Sequence, residues 1–190
     1  MLEILSDILD NHPTVYSTLS AAILAAIFAW LALRHNIHAS RTKNSIDFES
    51  NYKHNEKIVE SSLEIKRMVN TYFSHQLAEL ALEKNFLHED TKHINTILNE
   101  WERCANGVFH KIYDNNFLFG TYASTVLYLY KNLYPFIEQR RKHNPRVYTK
   151  FCWMAIQWQV RRQKDETGTT DKDLEAALKL LENYHNTLSK

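Results

Sequence analysis

The sequence has little cysteine, glycine and proline. Its 190 residues include two cysteines, three glycines and three prolines, and 44% of the residues are hydrophobic. This composition excludes a disordered or low-complexity chain and favours a compact, helix-rich protein. Because Cys104 and Cys152 lie far apart and outside any Cys-x-x-Cys spacing, they cannot form a disulfide framework or a structural zinc site unaided. We expect both to be buried thiols in a reducing compartment.

The first 33 residues lack lysine and arginine altogether. They contain the acids Glu3, Asp7 and Asp10, whereas all 23 basic residues lie from Arg34 onward with 19 acids, so that the net charge of +1 becomes +4 in that part. Residues 14–33 carry no formal charge, and about 20 such residues cross a hydrocarbon core as a helix. A cleaved signal peptide would need a basic start, and a soluble core helix is the other alternative. We predict a retained transmembrane helix.

Three side chains are predicted to mark the membrane interfaces of this helix. Tyr16 and Trp30 lie near its two ends, where amphipathic rings favour the interface, and Arg34 follows it directly. Basic residues crowd only the C-terminal flank, where Arg41, Lys43 and Lys53 follow Arg34. The positive-inside rule therefore predicts a single pass through a membrane, with the N-terminus outside and the rest of the chain in the cytoplasm.

These features divide the chain into four predicted segments. They are a short extracytoplasmic tail at 1–13, the transmembrane helix at 14–33, a juxtamembrane segment at 34–56 and a cytosolic helical domain at 57–190. Apolar residues of the domain recur at three- and four-residue steps, and no alternating run indicates a strand. The predicted fold class is all-α, with one transmembrane helix followed by an antiparallel helical bundle. The uncharged stretch 115–130 is shorter than a span and polar, so we expect a buried core helix there rather than a second pass.

Turn and capping residues predict where the helices of the domain end. Pro135 marks the end or a kink of a helix that begins near Phe117, and Asn144-Pro145 begins the next helix. Gln163–Thr170 is the clearest loop, and Thr170-Asp171 caps the last helix.

The stretch HEDTKH, residues 88–93, superficially resembles a zinc protease helix. That motif needs its two histidines four residues apart so that both rings reach one metal ion. Here the spacing is five, which turns the second ring about 140° away on a helix. We therefore expect a capping and surface role, and the sequence predicts neither a metal nor a cofactor.

Glu102 lies at the margin of an apolar helical stripe. An isolated buried carboxylate is costly, so we expect a buried polar network that contains Asn99, Glu102, Arg140 and Arg141. The alternative is a membrane-tethered hydrolase or nuclease that uses Glu102 and nearby arginines. No nucleophile, oxyanion hole or phosphate loop is visible beside it, and no catalytic residue is predicted.

Two basic clusters lie at residues 138–146 and 160–164. Arg140, Arg141, Lys142 and Arg146 are the candidates for contact with an anionic surface such as lipid headgroups. Nucleic acid is disfavoured because the domain is only mildly positive. A solvated helix face, with cations at a helix C-terminus, is the structural alternative.

Two stretches, ILNEWERCANGVFHKIYD and YPFIEQRRKHNPRVYTKF, resemble a family of small bacterial and prophage proteins described as a domain of unknown function. The resemblance covers residues 40–160, and Trp101 and the polar stretch 104–106 depart from it. It implies a helical cytosolic domain on one anchor with no assigned reaction. It rests on Leu98, Asn99, Glu102, Gly107, Tyr113, Asp114, Arg140 or Arg141, Pro145, Tyr148 and Phe151.

Together with the bacterial setting that the resemblance implies, these observations predict a non-enzymatic, single-pass protein of the bacterial inner membrane. Its cytosolic domain would bind another protein or the membrane surface, with the lipid bilayer as one partner and an unidentified protein as another. Self-association stays open. A prophage setting, which the resemblance implies, would fit a role against competing phage.

Overall fold

The computed structural model describes residues 13–188, which form seven α-helices and no strand. The all-α prediction is therefore confirmed. The predicted tail, apart from Pro13, lies outside the described residues. The helices are α1 (Pro13–His54), α2 (Glu56–Thr71), α3 (Ser74–Glu79), α4 (Glu89–Phe109), α5 (Asn115–His143), α6 (Thr149–Thr167) and α7 (Lys172–Leu188), with a 3-10 helix at Glu83–Asn85.

The chain divides into two compact units, residues 1–40 and residues 41–190. The described part of the first unit is the N-terminal portion of α1, where the hydroxyls of Ser17 and Thr18 donate to the carbonyl of Thr14 at 3.0 and 2.7 Å. Polar groups bonded inside a helix in this way are compatible with a lipid environment. From Ser17 onward, α1 is long and apolar enough to cross a membrane, with a mean hydropathy of 1.7 and no buried residue in its most apolar window.

Successive long helices of the second unit run antiparallel. The start of α5 contacts the second half of α6, where the indole of Trp158 donates to Asn115 at 2.7 Å and Arg161 donates to Asn116 at 2.9 Å. The middle of α5 contacts the start of α6 through the rings of Tyr130 and Phe151. Helices α2 and α4, and helices α6 and α7, pack in the same antiparallel sense. The stretch 115–130 lies within α5, whose inner face is buried, so the expected core helix is confirmed.

Helix α4 lies at the centre of this bundle, and its fully buried Trp101 joins three helices. The indole ring packs against Phe48 and Tyr52 of α1, with centroids 5.6 and 5.1 Å away, and against Tyr122 of α5 at 5.4 Å. Residues 41–54 of α1, which form the second part of the predicted juxtamembrane segment, therefore pack within the second unit.

Polar side chains cap the starts of α4 and α5, where the first turn of a helix leaves backbone amides without partners. A ring nitrogen of His88 accepts the amide hydrogen of Asp90 at 3.2 Å, which confirms the capping role expected for this histidine. Asp114 accepts from the amides of Asn116 and Phe117 at 2.9 and 3.2 Å and begins α5.

Two predicted helix boundaries were wrong, and of the two alternatives at Pro135, a helix end or a kink, the end is excluded. Helix α5 does not end at Pro135 but continues to His143, since burial of the neighbouring Phe136 and Ile137 offsets the lost backbone hydrogen bond. The next helix begins at Thr149 rather than at Asn144-Pro145, after a residue with a positive φ. Most of the predicted loop 163–170 belongs to α6, which ends only where Gly168 adopts a left-handed φ of 73°.

A tight turn between α4 and α5 is built on Gly107. The amides of Ile112 and Tyr113 donate to the carbonyl of Gly107 at 2.8 and 3.3 Å. The next amide, that of Asp114, donates to Ser45 of α1 at 2.8 Å. Because the Tyr113 ring lies directly over Gly107, a Cβ at this position would overlap ring carbons Cδ2 and Cε2.

We predict that Gly107→Ala destabilises the bundle by about 1–3 kcal/mol, since the Tyr113 ring must leave its packed position. Urea unfolding of the full-length chain in a nonionic detergent, followed by circular dichroism at 222 nm, measures the effect. Gly120→Ala is the matched control: no atom lies within 4 Å of its added Cβ, so stability should rise by up to about 1 kcal/mol. Equal effects of the two substitutions would contradict this account of the turn.

Candidate functional site

Most of the predicted site residues lie around one cleft of about 330 Å³ in the second unit, which we call the arginine cleft. Arg141 lies beside this cleft and bonds to the carbonyl of Val147, which lines it. Lys142 does not line the cleft; its ammonium group bonds to the amide oxygen of Gln139 on the helix surface. The cleft is lined by Asn99 and Glu102 of α4, Arg140 of α5, and Arg146, Val147 and Tyr148 of the α5–α6 connection.

Glu102 binds the start of α6. Its two carboxylate oxygens accept the backbone amides of Lys150 and Phe151 at 3.1 and 2.7 Å. These first-turn amides have no partner inside their own helix, and Tyr148 at the N-cap supplies no side-chain hydrogen bond. Burial raises the pKa of Glu102, and the two amide hydrogen bonds oppose that rise. Within residues 13–188 the carboxylate is therefore compensated by a helix N-terminus, and no ion pair joins it to Arg140 or Arg141.

Arg141 binds the same segment from the other side. Its guanidinium donates to the carbonyls of Val147 and Tyr148 at 3.0 and 3.3 Å. Because Glu102 accepts the amides of Lys150 and Phe151, one anionic and one cationic side chain together bind the connection between α5 and α6. This fixes Tyr148 in its left-handed conformation, with a φ of 54°. Glu102 and Arg141 are thus positioning residues for the wall of the cleft.

Arg140 is held in place by aromatic rings. Its guanidinium carbon lies 3.7 Å from the ring centroid of Phe86 and 5.3 Å from that of Phe136. One of its five N–H donors bonds to Asn95 at 3.4 Å, and the hydroxyl of Tyr148 donates to the same oxygen at 3.0 Å. Burial raises the pKa of Tyr148 to about 12, so this hydroxyl remains a donor at neutral pH.

Arg146 completes the cleft from its exposed rim. Within the described part of the chain, neither Arg146 nor Arg140 forms an ion pair with a carboxylate. The only carboxylate of the cleft, Glu102, is engaged by backbone amides. Two guanidinium groups are thus presented together, which is chemistry suited to carboxylate or phosphate groups.

The hydrogen-bond partners of Glu102 in the arginine cleft are backbone amides. Both of its oxygens accept amide hydrogens, and the residues that line the arginine cleft include no serine, cysteine or histidine that it could activate.

The sequence reasoning missed Asn95, although Asn95, Asn99 and Glu102 share one face of α4 at positions i, i+4 and i+7. The backbone partners of Glu102 have no side-chain signature that a sequence could show.

Two of the three residues predicted to mark the membrane interfaces, Trp30 and Arg34, are described with their side chains. The guanidinium carbon of Arg34 lies 4.8 Å from the ring centroid of Trp30, whose side chain is exposed. The side chain of Tyr16 lies outside the described part of the structure. The pairing of a ring with a cation suits the polar boundary of a membrane.

We predict that Glu102→Gln lowers the free energy of unfolding by about 1–3 kcal/mol, because the amide group would place a donor against the amide of Lys150 or Phe151. Chemical denaturation of the full-length chain in detergent measures the loss. Glu138→Gln, at an exposed position of α5, removes the same charge and should change stability by less than about 0.5 kcal/mol. A fully stable Glu102→Gln variant would argue against the positioning role.

The family model named Domain of unknown function (DUF4760) matches residues 19–158. This span contains the apolar part of α1, the arginine cleft and the first half of α6. No curated protein and no solved structure matches the chain. Since the match covers well over half of the sequence, the chain belongs to the DUF4760 family.

Proposed function

We propose that this protein is a single-pass protein of a bacterial inner membrane whose helical unit binds a partner protein in the cytoplasm. The anchor rests on one observation: the apolar side chains of the first unit are uncovered. Leu19, Phe28 and Leu33 are each more than half exposed, and the most apolar window has no buried residue. Lipid would remove this surface from water, and a helix of this length spans the hydrocarbon core.

The charge distribution supports the orientation. The chain before Thr14 has three acids and no basic residue, whereas Arg34, Arg41 and Lys43 follow the apolar helix. An excess of lysine and arginine beside a span keeps that side in the cytoplasm. A prophage setting and a role against competing phage stay predictions.

The arginine cleft supports an acidic protein segment as the ligand of the helical unit. Stacking on Phe86 and Phe136 preorganises the Arg140 guanidinium, and Arg146 faces solvent without an ionic partner in the described residues. Preorganised arginines bind carboxylates with little further loss of side-chain entropy. Aromatic walls and a polar rim are also common at protein interfaces.

The cleft lies far along α5 from the residue at which the second unit begins. The second unit begins at Arg41, and the neighbouring Thr42 donates to Asp114, just before α5, at 3.3 Å. Arg140 lies 26 residues further along α5, which is roughly 40 Å at 1.5 Å per residue. Within the second unit, the cleft is therefore remote from the point where the chain arrives from the anchor.

The proposed orientation predicts the effect of adding positive charge to the N-terminus. Three lysines substituted between Leu2 and Asn11 should shift a substantial fraction of the molecules to the opposite orientation, because the charge difference across the span disappears. Accessibility of a C-terminal tag to protease in spheroplasts measures this fraction. Three glutamines at the same positions should leave the C-terminus inside. An unchanged orientation with the lysines would contradict charge as the determinant.

The proposed ligand chemistry predicts binding of an acidic peptide. The full-length chain in phosphatidylcholine nanodiscs should bind a fluorescent oligoglutamate peptide, and fluorescence anisotropy measures the affinity. Combined Arg140→Gln and Arg146→Gln should weaken binding at least tenfold, or about 1.4 kcal/mol, since two charge-assisted contacts are lost. Combined Lys131→Gln and Lys142→Gln, which remove equal charge outside the cleft, should change affinity less than about threefold.

The same variants distinguish a lipid ligand. If the arginine variant binds the peptide normally but no longer cosediments with phosphatidylglycerol vesicles, the cleft serves a membrane surface instead. Binding of an oligoglutamine peptide with equal affinity would show that charge plays no part, and the proposal would fail.

A further inference from the structure

A second cavity, of about 500 Å³, lies on another side of α4 within the helical unit. Three walls form it: one face of α1, one face of α4, and the turn built on Gly107. We call it the acidic cavity, and no role has been assigned to it above. Its lining comprises Asn44, Asp47, Phe48, Asn51, Glu100, Arg103, Cys104, Ile112 and Tyr113.

The walls of the acidic cavity are held in place by contacts between lining residues and by a contact with the core. The side-chain amide of Asn44 donates to the carbonyl of Ile112 at 3.2 Å. The Phe48 and Tyr113 rings contact each other with centroids 5.7 Å apart, and Phe48 is buried against Trp101. The space therefore belongs to the folded unit, and the exposed side chains of Asp47 and Arg103 complete its lining.

Glu100 is buried at this cavity with incomplete compensation. It is only 7% exposed, and its one ionic partner in the described residues is Arg103, three positions along the same helix. The side chain of Arg103 is 74% exposed, so water screens much of its charge. A buried carboxylate needs close and well-desolvated positive charge, and the acidic cavity leaves room for a second cation beside it.

The remaining lining groups also suit a cation. Asp47 forms no hydrogen bond or ion pair within residues 13–188, and with Glu100 and Arg103 it gives the lining a net formal charge of −1. Asn44 uses its amide hydrogen on Ile112, which leaves its oxygen as an acceptor. The faces of Phe48 and Tyr113 attract organic cations through their ring quadrupoles.

From this geometry we infer that the acidic cavity binds a small aliphatic amine. An ammonium group has three N–H donors, which match carboxylate and carboxamide oxygens, while its alkyl chain packs against the aromatic walls. Anionic ligands meet two carboxylates there. The inference is independent of the peptide-binding role proposed for the arginine cleft, because the two sites share no residue.

Three compounds of similar length and different charge test this site. The full-length chain in a nonionic detergent is titrated by calorimetry with 1,4-diaminobutane, 1,4-butanediol or succinate at low salt. The diamine should bind, with an affinity that falls as salt rises, whereas the diol and the dianion should bind at least tenfold more weakly. Equal binding of the diol, or no binding of the diamine at millimolar concentration, would overturn the inference.

Substitutions at the cavity should change the affinity in opposite directions. Glu100→Gln should weaken diamine binding about tenfold, and Arg103→Gln should strengthen it severalfold because a competing cation is removed. Asp47→Asn changes an exposed residue and keeps the test open if Glu100→Gln does not fold, as judged by circular dichroism. Glu138→Gln is the control for charge alone and should leave the affinity unchanged. Wild-type affinity in the folded Asp47→Asn and Glu100→Gln variants would place the diamine elsewhere and refute the assignment.

Discussion

The burial of Trp101 is the interaction on which the architecture of the helical unit depends. Its indole lies among rings of α1 and α5, and its N–H donates to the hydroxyl of Tyr52 at 3.1 Å. Aromatic groups of this size bury more apolar surface than any other side chain and dominate the stability of a small core. Because one indole contacts two other helices, residues 41–54 of α1 pack in the bundle instead of forming a separate linker.

Helical geometry explains why α4 borders two cavities rather than one. The neighbouring carboxylates Glu100 and Glu102 are two positions apart, which is about 200° around a helix. They therefore face different neighbours. Glu102 meets the start of α6 and is compensated by backbone amides, whereas Glu100 lies opposite α1 and has the exposed Arg103 as its one ionic partner among the described residues. The first arrangement orders a connection, and the second leaves a carboxylate beside an open cavity.

The positions on which the family resemblance rests act mainly in holding the fold. Gly107 makes room for the Tyr113 ring, and Asp114 both begins α5 and bonds to α1. Arg141 and Glu102 bond to backbone groups of the connection between α5 and α6 and of the first turn of α6. These roles fit a domain in which a rigid framework presents surface groups such as Arg140 and Arg146 to a ligand, as we propose.

The sequence by itself determined the features that depend on local order. Helical periodicity, scarce glycine and proline, and the uncharged stretch 14–33 were sufficient for the all-α fold and the membrane-length helix, because each is written in neighbouring residues. Tertiary structure decided the rest. Glu102 bonds to backbone amides, which no sequence pattern marks. The burial of Phe136 and Ile137 stabilises α5 beyond Pro135. The acidic cavity forms only where α1 packs against α4. Each of these depends on contacts between residues far apart in the chain, which no local pattern records.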